Sequence, residues 1–72
     1  MRTHRYRVTI SGALGEIGCE AFGDFRIEAK GTDTALVGDL DQAALYGALN
    51  RILMFGFELL ELTRLPDPVA VA

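Results

Sequence analysis

The sequence predicts an α+β domain: an antiparallel sheet with one long helix and a second, stunted one. Three observations predict it. Residues alternate between apolar and polar from Arg5 to Ser11, a second alternation from Asp24 to Lys30 leads through the turn-forming run Gly31-Thr32-Asp33-Thr34 into Ala35 to Leu40, and Gln42 to Phe55 carries apolar residues at helical spacing. At 72 residues the chain makes one domain. A core of that size stabilises a fold only marginally, and small domains commonly add disulfides, a metal or a partner subunit.

The elements follow in order. In the first strand Tyr6, Val8 and Ile10 share one side, with Arg5, Arg7, Thr9 and Ser11 on the other, the pattern of a half-buried strand. Gly12 to Gly23 reads two ways. Leu14, Ile17 and Ala21 form one face of a helix, yet Gly15 and Gly18 each cost about 1 kcal/mol against helix formation. One or two helical turns would supply the crossover of about a dozen residues that parallel strands need; a loop would give β-β-β-α-β instead. Phe25, Ile27 and Ala29 then alternate with Asp24, Arg26, Glu28 and Lys30, and Ala35 to Leu40 completes a hairpin. Asp41 offers an N-cap oxygen to the long helix. Leu45, Ala48, Leu49 and Ile52 form its core stripe, and Gly56 suits the left-handed residue that ends it. Phe57 to Arg64 reads as the last strand, Leu60 and Leu62 inward, Glu61 and Thr63 outward. Pro66 and Pro68 break regular structure, so one domain is expected over 1–65 and a flexible tail over 66–72. The favoured order, β-α-β-β-α-β over a four-stranded antiparallel sheet, is ferredoxin-like; β-β-β-α-β is the alternative.

The helix carries a resemblance. Gly38, the run Asp41-Gln42-Ala43-Ala44-Leu45-Tyr46-Gly47-Ala48-Leu49 and the closing Gly56 look like the signature of a group of small uncharacterised actinobacterial proteins that share Asp-Gln-Ala-Ala-Leu-x-Gly-x-Leu. The similarity covers the last two thirds of the chain, the strands matching in pattern more than in residues. It implies a bacterial protein and no particular activity. Leu53 and Met54 depart from it, standing where those relatives tend to place charged residues.

Composition excludes several roles. Ten acidic residues against seven basic ones leave a net charge of −3, which disfavours nucleic acid as a partner, because phosphate binding needs a basic patch. Arg2, Arg5, Arg7 and Arg26 read as solvated strand residues. No apolar run reaches the ~18–20 residues of a membrane span and the start lacks the apolar core of a secretory signal, so a cytoplasmic protein without membrane contact is expected. The single cysteine, Cys19, has no disulfide partner and reads as a small buried hydrophobe; His4 reads as solvent-facing and has no second histidine for a metal pair.

Chemistry is sparse. Gly12, Gly15 and Gly18 make Gly-x-x-Gly-x-x-Gly, which matches neither the dinucleotide fingerprint nor the lysine-bearing phosphate loop. Asp39 and Asp41 open the long helix, where capping accounts for negative charge. Ser11 and Thr63 would be nucleophiles only with a nearby base. No cofactor, no metal and no enzymatic activity are expected.

The outer side of the long helix is informative. Ala43, Tyr46, Gly47, Asn50, Leu53 and Met54 gather there, and Arg51 is the only charged residue from Gln42 to Phe55. A helix facing water on a monomer normally shows charge on that side, so this one is expected to be covered. The cover is a second copy or a protein partner; otherwise the first helix or the tail Val69 to Ala72 supplies it. The open face of the sheet, with Arg5, Arg7, Thr9, Arg26, Glu28, Lys30, Glu61 and Thr63, is too polar for a sheet-on-sheet dimer, although Ala35, Val37 and Leu59 are apolar. The leading expectation is a self-associating or partner-binding module. The other is a regulatory module resembling ACT domains, which would bind a small ligand at the backbone amides of Gly12 and Gly15.

Overall fold

A four-stranded antiparallel sheet, in the order β2-β3-β1-β4, forms one layer of the domain. The computed structural model describes residues 2–66; the tail expected after Pro66 lies outside them. Along the chain the elements are β1 (His4–Ile10), α1 (Gly15–Ala21), β2 (Arg26–Lys30), β3 (Asp33–Leu40), α2 (Gln42–Met54) and β4 (Leu59–Arg64). The order is β-α-β-β-α-β, and the looped alternative is set aside.

The alternation in β1 does what period 2 requires. Tyr6, Val8 and Ile10 are buried on the face that both helices cover. β3 pairs with β1 from His4↔Leu40 to Ile10↔Thr34. β2 joins β3 through the two-residue turn Gly31-Thr32, with Lys30↔Asp33 closing it. Gly31 has φ +62°, the positive value that a tight hairpin turn demands at its first central residue. β4 pairs with β1 with one irregularity: Glu61 faces Thr9 while Leu59 faces Ile10, which leaves Leu60 as the extra residue of a bulge. One expectation holds and one changes. Leu62 faces Val8 and points inward as read, but the bulge shifts the pairing so that Leu59, not Leu60, stands opposite Ile10.

α2 forms as its residues dictate. Asp41 Oδ1 accepts the Ala44 amide at 2.7 Å, Leu45, Ala48 and Ile52 are buried, and Gly56 has φ +79° just past the end. α1 is seven residues long with no side-chain cap. Its buried face differs from the expected one: Gly18 is buried, Leu14 and Ala21 pack partly against the core, and Ile17 stands 74% exposed. A Cβ on Gly18 would lie 2.9 Å from Leu14 Cβ, so the bare glycine is what lets Leu14 fold back there. Cys19, one residue further round the helix, is exposed rather than buried.

Phe22, just after α1, has no exposure at all and contacts Phe25, Phe55 and Phe57 at ring-centroid distances of 6.1, 6.1 and 6.5 Å. Arg51 locks the two helices together. Its Nη1 donates to the Ala21 carbonyl at 2.8 Å, and the guanidinium pairs with Asp24 at 3.2 Å and lies 5.2 Å from the Phe22 ring centroid.

Candidate functional site

On the outer side of α2, Ala43, Tyr46, Gly47, Asn50, Leu53 and Met54 are all exposed, with Tyr46, Leu53 and Met54 at 65, 74 and 77%. The only polar contact within the group is Asn50 Nδ2 at 3.5 Å from Met54 Sδ. A Cβ on Gly47 would meet nothing within 4 Å, so this stretch of helix surface is open. Arg51, the one charge of α2, is drawn off this side by Ala21 and Asp24. The outer face is therefore uncharged, and neither α1 nor the sheet covers it.

Sequence reasoning missed a further group of exposed apolar side chains. Leu59, Leu60 and Leu62 of β4 are each partly exposed, as is Phe55 at the end of α2. The signal was the leucine content of a strand expected to be half polar; its position at the sheet edge is a matter of topology alone.

The expected ligand glycines are placed differently. The Gly12 amide donates to Asp33 Oδ1 at 3.2 Å, and the Gly12 carbonyl accepts from the Thr34 hydroxyl at 2.7 Å, so both backbone groups tie the β1–α1 loop to the start of β3. Gly15 opens α1 and lines a shallow exposed groove with Glu16, Ile17, Cys19, Glu20 and Gly23. That groove brings two carboxylates and no histidine beside the thiol.

The open sheet face is polar as read. Arg5 Nε lies 2.9 Å from Asp39 Oδ1, and Arg26 Nε lies 3.1 Å from Glu28 Oε2. The hydrogen bond from Arg5 holds the Asp39 carboxyl below its ordinary value, and Asp39 in turn raises Arg5. A depressed carboxyl stabilises the fold above its unfolded value of 3.8, and that contribution fades as pH falls through the folded value. Both groups are exposed, so the effect is small. Thr9 and Ala35, in register with each other at the centre of this face, are buried between neighbouring side chains. Thr9 Oγ1 and Arg7 Nε are buried without a hydrogen-bond partner among the described residues. His4, read as solvent-facing, is half-buried, its Nδ1 lying 2.9 Å from Arg64 Nη2. Among the described residues no group of three or more His, Cys, Asp or Glu side chains is placed to hold a metal ion, and no helix is long and apolar enough to cross a membrane.

A family model described as a domain of unknown function, DUF8691, matches residues 5–63. The chain belongs to the DUF8691 family. The match runs from β1 into β4 and takes in both helices and the whole apolar surface of α2. Neither the curated proteins nor the solved structures contain a match to this DUF8691 domain.

Proposed function

We propose that this DUF8691 domain is a non-enzymatic cytoplasmic module that works by association, with a second copy of itself or with another protein, through the outer face of α2. One observation carries the reading: Tyr46, Leu53 and Met54 are mostly exposed on a helix whose sole charge is bonded elsewhere. Apolar surface of this kind loses free energy to water at about 25 cal/mol per Å² until something covers it. Interfaces favour aromatic and methionine side chains at their centres and disfavour charge there. Small Ala43 and Gly47, one turn apart, leave room for close approach. The strand order β2-β3-β1-β4, all antiparallel with both helices on one face, supports a ferredoxin-like architecture. The rival reading, an ACT-like ligand module, needs the Gly12 amide, which Asp33 already holds.

Light scattering at high micromolar concentration tests the association. The wild-type chain should show at least twice the 7.8 kDa mass of a single copy, or capture a defined partner, and Leu53→Glu should return it to one copy. A wild-type chain that stays single and binds no partner, or a Leu53→Glu variant that associates as before, overturns the proposal.

A further inference from the structure

The two edges of the sheet are unequally defended. An edge strand presents a row of unpaired amides and carbonyls, and proteins guard such rows with charge. β2 is guarded: Arg26, Glu28 and Lys30 alternate along it. β4 carries Leu59, Leu60 and Leu62, at 44, 49 and 40% exposure, and no strand among the described residues pairs with its outer side.

The backbone says which groups meet that side. The Leu65 amide donates to the Arg5 carbonyl at 2.8 Å. In an antiparallel pair, residues bonded to one neighbour alternate with residues whose amides and carbonyls point the other way. Arg64 and Leu62, one and three positions before Leu65, therefore direct theirs to the free edge.

We propose that the partner is a second copy of this chain, docked antiparallel along β4 with the twofold axis through Leu62. In this register Leu62 exchanges both backbone hydrogen bonds with the partner's Leu62. Glu61 faces the partner's Thr63 and Leu60 faces the partner's Arg64, so no like charges oppose. Centring the axis on Glu61 would set two carboxylates against each other. Centring it on Thr63 would set Leu60 opposite Pro66, which has no amide to donate. Leu62 shares the helix-covered face with Val8, so its meeting with the partner's Leu62 lies beneath the helices. Arg51 marks the flank of α2 that meets α1. Tyr46 and Leu53 lie roughly 140–160° round the axis from it at 100° per residue, on the flank away from α1. Edge pairing turns this flank toward the same flank of the second copy. The inference rests on self-association and adds the edge and the register.

Four variants test it, each checked for an unchanged circular dichroism spectrum. Leu62→Lys should raise the dimer dissociation constant on the order of tenfold or more; Leu60→Lys gives the same readout should Leu62→Lys fail to fold. Leu62→Cys, in a Cys19→Ser background, should cross-link on mild oxidation. Directly paired antiparallel residues have Cα atoms ~4.5–5.5 Å apart, within the ~4.4–6.8 Å that a disulfide spans. Ile27→Cys on β2, in the same background, should not cross-link. A dimer that Leu53→Glu dissociates, but that the lysine variants leave intact and Leu62→Cys does not trap, overturns the edge and the register while the proposed function stands. A wild-type chain that does not self-associate overturns the inference, and the proposed function then rests on a different protein as partner.

Discussion

α1 and α2 are both helices of this domain, but they are made in different ways. α2 contains its own instructions: the Asp41 cap, three buried residues on one stripe, and a glycine to end it. α1 contains none of these. It has seven residues, no side-chain cap and a buried glycine, and a helix so short is unstable alone because nucleation fixes many dihedral angles for few hydrogen bonds. It is held from outside, by Phe22 in the core beyond its last turn and by Arg51 of α2 on its Ala21 carbonyl. The contrast teaches that a segment with poor local propensity becomes helical where its flanking side chains are anchored by the rest of the fold.

Phe22 is where that contrast breaks most easily. Phe22→Ala removes a fully buried ring and should cost ~3–5 kcal/mol, read from the shift of the urea midpoint. Hydrogen exchange should show residues 15–21 losing protection before α2 does. Retained protection in α1 would mean that it stands without its anchor. A smaller effect is expected at Asp41. Asp41→Ala removes the oxygen that holds the Ala44 amide and should cost about 1 kcal/mol in thermal unfolding, with α1 unaffected in hydrogen exchange. Equal loosening of both helices would show that the cap acts on the whole domain. The smallest effect should come from Ile17→Ser, within about 0.5 kcal/mol of wild type, because Ile17 projects from α1 into solvent. A loss near 2 kcal/mol would restore Ile17 to the core and rotate α1 to the face its apolar spacing suggests.

The parts that were legible have their signal within a few residues. The alternation of Tyr6, Val8 and Ile10, the hairpin about Gly31 and the Leu45, Ala48 and Ile52 stripe each follow from backbone periodicity. The uncharged outer face of α2 was equally legible, since it needs only the residue order of one helix. What escaped depends on distant partners. Ile17 looked like a core residue and Cys19 like a small buried hydrophobe, but Gly18 and Leu14 turn α1 so that both face outward. Leu59 and Leu60 were misassigned because a bulge leaves no mark on an alternating pattern. Arg51 read as an isolated charge, and its partners Asp24 and Ala21 lie 27 and 30 residues away.

The sequence by itself determined α2, the strand faces of β1 and the hairpin, because caps, turns and periodicity are written in neighbouring residues. Only the tertiary structure decided how α1 is turned, where β4 slips by one residue, and which strands stand at the edges of the sheet. Those outcomes depend on which side chains a shared core has room for, and space in a core is divided among residues far apart in the chain.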